Sequence, residues 1–462
     1  MTMWNRRSWL RQAGAWFGPA LTAAPQRPPN VLFLFTDDQR ADTIAALGNP
    51  HIKTPNLDAL ARSGMVFRNA YCMGGNSPAV CLPSRNMLLS GRTFFRYGLH
   101  APAGAPNFPD AMRAAGYETY HHGKRGNTAL AIQARFEHNL YLDDEAERRS
   151  GEPGRQIVDQ AIRFLQQPRR RPFFMYLAFG NPHDPRVAHR RYLDLYDPAK
   201  IPLPRNFLPV HPFDNGEMTI RDELLAPWPR TAQEIRRQLA EYWAVVTGLD
   251  ENIGRLMSTL RRLGLYDNTI VLFSSDQGIA LGSHGLMGKQ NLYEHSMRVP
   301  LIIRGPGLRA GSTNAFVYLM DIFPAVVELV GGAPPAGLDG RSFAPILRGR
   351  ANKARESIFL AYRDVQRAYR EGRHKLIVYP KIGKRQLFDL ERDPDEVRDL
   401  SGLPSQQARV AGMLEKMRRA QAEFGDTDPL VVDHPAGAEF RPPEGEALER
   451  LLKRAGVERR GP

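Results

Sequence analysis

Asn30-Val31-Leu32-Phe33-Leu34-Phe35-Thr36-Asp37-Asp38 is the stretch whose reading decides the fold. Five unbroken apolar residues at strand length, with no polar alternation, describe a strand buried on both faces of a parallel sheet. The run stops at two adjacent carboxylates. The same pattern returns at Phe173 to Phe179, which ends in Pro182-His183-Asp184-Pro185, and at Ile270 to Phe273, which ends in Ser275-Asp276-Gln277-Gly278. Between these runs the text is helical. Thr54-Pro55 opens a helix as N-cap and first position, Leu57, Leu60 and Ala61 face inward, and Gly64 closes it. Met65 to Ala70 reads as a strand, and Pro83 to Leu89 as a helix beside Cys81 that Gly91 ends. Ile235, Leu239, Tyr242, Val246, Leu249, Ile253, Leu256 and Leu260 keep a helical period over a long segment. Strands alternating with helices predict an α/β fold, a large doubly wound and mostly parallel sheet with helices on both faces. Such sheets bind ligands beyond the carboxyl ends of their strands. Three strong strands here end in Asp37-Asp38, His183 and Asp276-Gln277.

Composition narrows the class. The chain has 462 residues, of which 42% are hydrophobic and 24% charged, so it is folded and globular rather than disordered. No segment reaches the ~18 uninterrupted apolar residues that a membrane span requires. Lys and Arg number 63 against 49 Asp and Glu, a formal charge of +14 that suits acidic company without naming it. A nucleic-acid partner is not expected, because neither a recognition motif nor an array of stacking aromatics is found. The two cysteines, Cys72 and Cys81, could close a short loop. A chain this long does not need that staple, which leaves one of them as a candidate for chemistry.

Three regions are expected. Asn5-Arg6-Arg7 followed by an apolar run to Leu21 and by Thr22-Ala23-Ala24-Pro25 reads as an export signal of twin-arginine type over residues 1–27. Residues 28–350 form the catalytic domain. Residues 351–462 form a smaller C-terminal α+β subdomain with a charged tail, built from short strands at Ser357-Ile358-Phe359-Leu360, Lys375 to Tyr379 and Gln386 to Asp389, then a helix near Gln406 to Phe424.

Asp37, Asp38, Asp276 and Gln277 make an all-oxygen donor set, which suits Ca²⁺ or Mg²⁺ rather than zinc. Cys81-Leu82-Pro83-Ser84-Arg85 puts a sulfur at a helix N-terminus with a guanidinium one turn on, and both features stabilise an anion there. Lys124, His183 and Lys289 read either as solvated lysines and a turn histidine or, given a site at the strand ends, as the positive charge that an anionic substrate and its leaving group need.

These residues resemble the type I, formylglycine-dependent sulfatases of the alkaline phosphatase-like superfamily. The resemblance rests on Asn30 to Asp38, Thr54-Pro55-Asn56-Leu57-Asp58, Cys81 to Arg85, Gly116-Tyr117 through Gly123-Lys124 and Pro182-His183. It continues through Ser275 to Gly278, Leu281 to Leu286 with Lys289, Arg298-Val299-Pro300-Leu301-Ile302, and Leu387-Phe388-Asp389-Leu390 with Asp393-Pro394. It implies that a maturase oxidises Cys81 to formylglycine, whose hydrate attacks the sulfur of a sulfate monoester. The alcohol leaves, and loss of the second hydroxyl's proton then expels sulfate. It also implies Ca²⁺ or Mg²⁺ on Asp37, Asp38, Asp276 and Gln277. Arg85 and Lys124 would anchor diol and sulfate, while His183 and Lys289 would serve the leaving alkoxide. A sulfated carbohydrate or another small sulfate ester is the expected substrate, and the periplasm or the exterior of a bacterium the expected location.

Two positions depart from the family pattern. Gln277 stands where Asn or His is usual, and Lys124-Arg125-Gly126 stands where the family has Lys-x-His. His121 or His122 is the candidate substitute for the missing histidine. Arg363, Arg367, Arg370, Arg373 and Lys375 either grip further anionic groups of the substrate or form a solvated charged face. The competing functions are a formylglycine-dependent phosphodiesterase or phosphonate monoester hydrolase, and a catalytically silent relative that binds polyanions.

Overall fold

The protein is described by a computed structural model over residues 28–98 and 104–457. The export signal expected over 1–27 lies outside the described residues. The strands in chain order are β1 (Asn30–Thr36), β2 (Met65–Tyr71), β3 (Gly74–Gly75), β4 (Glu118–Gly123), β5 (His138–Tyr141), β6 (Phe173–Ala178) and β7 (Thr269–Ser275). They continue with β8 (Arg298–Val299), β9 (Leu301–Arg304), β10 (Gly311–Tyr318), β11 (Ser357–Tyr362), β12 (Gln366–Glu371), β13 (His374–Tyr379) and β14 (Lys384–Asp389).

The large sheet has the order β10-β2-β9-β7-β1-β6-β4-β5, with β8 also on β2. Its β7-β1-β6-β4-β5 half is parallel throughout, while β9 runs antiparallel to both β2 and β7. The mostly parallel α/β sheet predicted from the apolar runs is therefore present. On β1, Val31, Phe33 and Phe35 enter one hydrophobic cluster and Leu32 and Leu34 another, so both faces are covered. Each such side chain contributes roughly 1.5–3 kcal/mol by leaving water. Helices Pro55–Ser63, Arg155–Leu165 and Ala232–Arg262 cover the Leu32 and Leu34 face.

Register levels the strand ends. Phe35 pairs with Ala178 on β6 and with Ser274 on β7. Beyond the strands, the Asp37 N–H donates to the Asn181 carbonyl at 3.0 Å and the Asp276 N–H to the Thr36 carbonyl at 3.2 Å. Asp37, the segment leading to His183, and Asp276 thus leave the sheet at one edge.

The helix at Pro55 begins as expected but is capped differently. Thr54 Oγ1 donates to Asp58 and accepts from the Ala45 N–H. The free N–H groups of the first turn go to Asp250 on the long helix, which accepts from Asn56 at 3.1 Å and Leu57 at 2.7 Å.

The smaller sheet, β14-β13-β12-β11-β3, is antiparallel except where β11 meets β3. β3 lies on the path from β2 to Cys81, so this junction ties the second sheet to the segment that carries the cysteine. Gly74 makes it by close approach, since a Cβ there would fall 2.0 Å from the Ala361 carbonyl oxygen.

The arginines and lysine from Arg363 to Lys375 are engaged with carboxylates of the fold. Arg367 is buried against Asp426 and Asp428, Lys375 lies between Glu294 and Glu396, and Arg370 bonds Tyr71 and Glu294. Arg373 pairs with Asp389 and Arg363 with Glu217. Arg367, Arg370 and Lys375 are charges inside the fold that need these partners, while Arg363 and Arg373 are 40% and 34% exposed and keep part of the solvated face.

Candidate active site

Cys81 is the first residue of helix Cys81–Ser90, nearly all of which is buried. Gly91 ends that helix in a left-handed conformation and donates to the Met87 carbonyl at 2.8 Å. Cys81 Sγ lies 3.2 Å from Asp37 Oδ1, 3.0 Å from Gln277 Nε2 and 3.3 Å from Lys289 Nζ. Both cysteines are free and buried, so the Cys72–Cys81 bridge does not form. Cys72 instead turns its sulfur to the backbone of Gly74.

One turn along the helix, Arg85 Nε donates to Asp276 Oδ2 at 2.9 Å, and its Nη2 lies 3.3 Å from Asp37 Oδ2. Ser84 Oγ donates to the Asp276 carbonyl at 2.6 Å. Asp276 Oδ1 accepts from the backbone N–H groups of Asp38, at 3.0 Å, and Gln277, at 2.9 Å. Asp38 adopts the left-handed backbone, φ 63°, and Tyr242 OH donates to its carbonyl at 2.7 Å. Asp residues tolerate that conformation better than most. Lys289 Nζ donates to both Asp38 oxygens, at 2.8 and 2.9 Å. Behind Lys289 stand Asp222 at 4.0 Å and Gln290, which accepts from the Lys289 N–H.

Lys124 Nζ approaches Asp37 Oδ2 at 3.9 Å and His183 Nε2 approaches Asp38 Oδ2 at 3.7 Å. Their side chains are 22% and 21% exposed, whereas Cys81, Arg85, Asp37, Asp38, Asp276 and Gln277 are buried. The site therefore opens on the Lys124 and His183 side, into a cleft also lined by Asp144, Glu147, Arg148 and Asn181. The His183 loop is tied down by Asp184, which Arg221 Nη1 meets at 2.8 Å.

Electrostatics divide the carboxylates. Burial raises the pKa of Asp37, but Arg85, Lys124, His183 and Lys289 outweigh it and hold the group far below the usual carboxylate range. Burial, with Asp37 beside it, pushes Asp276 up to about 7 despite Arg85. Burial and then Asp37 push the Cys81 thiol well above its ordinary value. An unmodified cysteine here is a poor nucleophile, since the reactive form is the thiolate.

The residues fit a hard divalent cation. Asp37, Asp38, Asp276 and Cys81 each present a ligand-type atom within 4.8 Å of the others. Gln277 turns its Nε2 to the cluster, donating to Asp38 Oδ1 at 2.6 Å, and its Oε1 is buried with no hydrogen-bond partner, so a turn of the amide would present an oxygen donor there. Three buried carboxylates and an unpartnered carbonyl-type oxygen are the donors that Ca²⁺ and Mg²⁺ take.

All nine residues anticipated from the sequence thus meet in one cluster. The histidine substitutes do not join them. His121 Nδ1 pairs with Asn139 Oδ1 at 2.7 Å and its ring stacks on Tyr176, while His122 turns to the backbone of Tyr141. Burial pushes both down to about 4. Neither is a hydrogen-bond or ion-pair partner of Cys81, Asp37 or Arg85 among the described residues. Sequence reading missed Asn127, whose Nδ2 donates to Asp37 Oδ2 at 2.8 Å, and also Tyr242, Asp222 and Gln290. The Gly126-Asn127 pair, a turn signal just past Lys124, was the available clue for the first.

A buried cysteine at a helix N-terminus, faced by carboxylates and cations at the strand ends of a doubly wound sheet, makes a site suited to an anionic ligand. Comparison with known proteins narrows the class. Residues 29–333 match the sulfatase family, and residues 282–423 match the C-terminal region of N-sulphoglucosamine sulphohydrolase. The chain therefore belongs to the sulfatase family, of alkaline phosphatase-like fold, and is a sulfuric ester hydrolase. An N-acetylglucosamine-6-O-sulfatase of Bacteroides thetaiotaomicron is 27% identical, with 89% of this chain and 90% of that protein aligned. A protein solved with its substrate D-glucosamine-2-N,6-O-disulfate superposes with TM-score 0.75 at 24% identity, over 88% of this chain and 99% of the other. A phosphonate monoester hydrolase from Silicibacter pomeroyi gives TM-score 0.72 at 25% identity, over 87% and 96%.

Proposed function

We propose that the protein hydrolyses a sulfate monoester on a sulfated carbohydrate, using formylglycine made from Cys81 by a maturase, and Ca²⁺ or Mg²⁺. The observation that carries this reading is the placement of Cys81 Sγ within 3.3 Å of Asp37, Gln277 and Lys289. Hydrated formylglycine would supply a hydroxyl nucleophile that a thiol at this position lacks, and a bound cation would draw charge from the sulfate oxygens.

The chain's own residues do the rest. Asp37, Asp38, Asp276 and Gln277 would hold the cation. Arg85, fixed by Asp276, keeps a positive charge beside the nucleophile position and aligns Asp37. Lys124, on the open side, binds the entering sulfate. His183 stands at the same opening, where it donates a proton to the departing alkoxide, and Lys289 neutralises charge beside Asp38. The named activity of the glucosamine-sulfatase relative and the sulfated sugar bound to the structural neighbour support the carbohydrate assignment. Residues 28–350 would carry this chemistry and 351–462 the appended unit. Residues 1–27 would direct export to the periplasm or beyond, and no described helix is long and apolar enough to cross a membrane.

The phosphonate monoester hydrolase neighbour favours one second reading, cleavage of a phosphonate or phosphodiester at the same site. Matured protein assayed on an aryl sulfate, an aryl phosphodiester and a phenyl phosphonate separates the two. A kcat/KM highest on the sulfate supports the proposal, and one highest on either phosphorus ester overturns it.

A further inference from the structure

Gly126 occupies the place where the family pattern has histidine, and its backbone is left-handed, φ 77°. A side chain there would be strained although no atom lies within 4 Å of the Cβ position, so the obstacle is conformational rather than steric. The turn at Gly126 delivers the next residue to the site. Asn127 Nδ2 donates to Asp37 Oδ2 at 2.8 Å, the oxygen that also faces Arg85 at 3.3 Å and Lys124 at 3.9 Å. The other Asp37 oxygen lies against Cys81.

The loop that presents Asn127 is pinned from behind. Buried Gln133 donates from Nε2 to the Lys124 carbonyl at 2.8 Å and accepts at Oε1 from the Gly126 N–H at 3.2 Å. Beyond it, the Ala129 N–H donates to Asn86 Oδ1 at 2.8 Å, and Asn86 follows Arg85 on the cysteine's own helix. Asn127 is therefore held in place relative to Cys81.

We infer that Asn127 is a positioning residue of the reaction: its amide orients the Asp37 carboxylate, which faces the cation site and the nucleophile position at once. The inference rests on the function proposed above. A carboxylate with one oxygen fixed by a neutral donor keeps its charge for the cation, and such outer partners set both metal affinity and rate. Unlike a histidine, a carboxamide neither gains nor loses a proton, so Asn127 positions Asp37 and shuttles nothing.

The test uses matured full-length protein with Asn127→Ala and Asn127→Leu, the second of which keeps the volume. Ca²⁺ is titrated calorimetrically into protein stripped of metal, and kcat and KM are measured on an aryl sulfate at saturating Ca²⁺. Both variants should bind Ca²⁺ about 10–100-fold more weakly and lose kcat at little-changed KM, with an unaltered metal-free melting temperature. Wild-type Ca²⁺ affinity and kcat in both variants would overturn the inference. So would a raised KM at unchanged kcat, which would mean that Asn127 contacts substrate instead. A wild-type protein that neither binds Ca²⁺ nor cleaves a sulfate ester would overturn the underlying function, and the inference with it.

Discussion

Arg85 Nε donates to Asp276 Oδ2 at 2.9 Å, and both side chains are buried. The pair joins the helix that begins at Cys81 to the end of β7. It also keeps a guanidinium beside Asp37, so one residue ties the frame and holds a positive charge at the site.

Replacing Arg85 should expose both roles. Arg85→Met leaves Asp37 and Asp276 crowded without their shared cation, and removing one partner of a buried pair costs about 3–5 kcal/mol. Arg85→Lys keeps the charge but loses the forked geometry, and should still lower kcat/KM by about 100-fold. Urea denaturation and turnover of an aryl sulfate measure the two effects. Near-wild-type turnover in Arg85→Lys would show that the fork is dispensable.

Calcium should stabilise the fold as well as support turnover. Ca²⁺ at about one hundred times its Kd adds about 2.7 kcal/mol to unfolding. Chelation should abolish activity, and Ca²⁺ or Mg²⁺ should restore it. Gln277→Leu should weaken the Ca²⁺-dependent shift of the melting temperature while leaving the metal-free value in place. A melting temperature indifferent to both ions would remove the metal from the account.

The pH dependence of stability can be read at His211, which lies apart from the cation site. Its Nδ1 pairs with the Phe213 carbonyl at 2.7 Å and its Nε2 with Tyr293 OH at 3.2 Å. Burial pushes it down to about 4, against an ordinary value of 6.5. As pH falls from 6.5 towards 4, the unfolded chain takes up this proton and the folded chain does not. The group's contribution is thus complete above 6.5 and is lost in that window. The stability advantage of wild type over His211→Gln should narrow by up to about 1.4 kcal/mol per pH unit there. A constant gap from pH 7 to 4.5 would contradict a neutral, buried His211.

The junction of the two sheets depends on one missing side chain. Gly74 has φ 112°, and a Cβ on it would meet the Ala361 oxygen at 2.0 Å. Gly74→Ala should therefore destabilise by roughly 1–3 kcal/mol from overpacking, with strain from the left-handed backbone added. It should also lower kcat, because β3 leads into the segment that ends at Cys81. Equal urea midpoints for variant and wild type would show that the junction yields freely.

What could be read from the sequence follows physical lines. β1, β6 and β7 were plain because a strand covered on both faces must be continuously apolar, and their polar ends located the site. Asp37, Cys81, Arg85 and Asp276 stood out only together, since each alone reads equally as a cap, a turn or a buried thiol. The Gly126-Asn127 pair marked a turn, but a turn asparagine is common, and only the left-handed Gly126 directs this one to Asp37. The basic run from Arg363 to Lys375 misled for the opposite reason. Its partners, Glu294, Glu396 and Asp426 among them, lie far away in sequence, so pairing in space could not be seen. The antiparallel β9 was equally hidden, since a four-residue strand with three apolar residues carries no mark of its direction.

The most direct test is the mass of the proteolytic peptide containing Cys81, taken from protein produced beside a maturase and assayed for sulfate-ester turnover. The account predicts a peptide lighter by the difference between a thiomethyl side chain and an aldehyde, with activity proportional to the converted fraction. An unmodified Cys81 thiol in protein that turns over sulfate esters at full rate would contradict it.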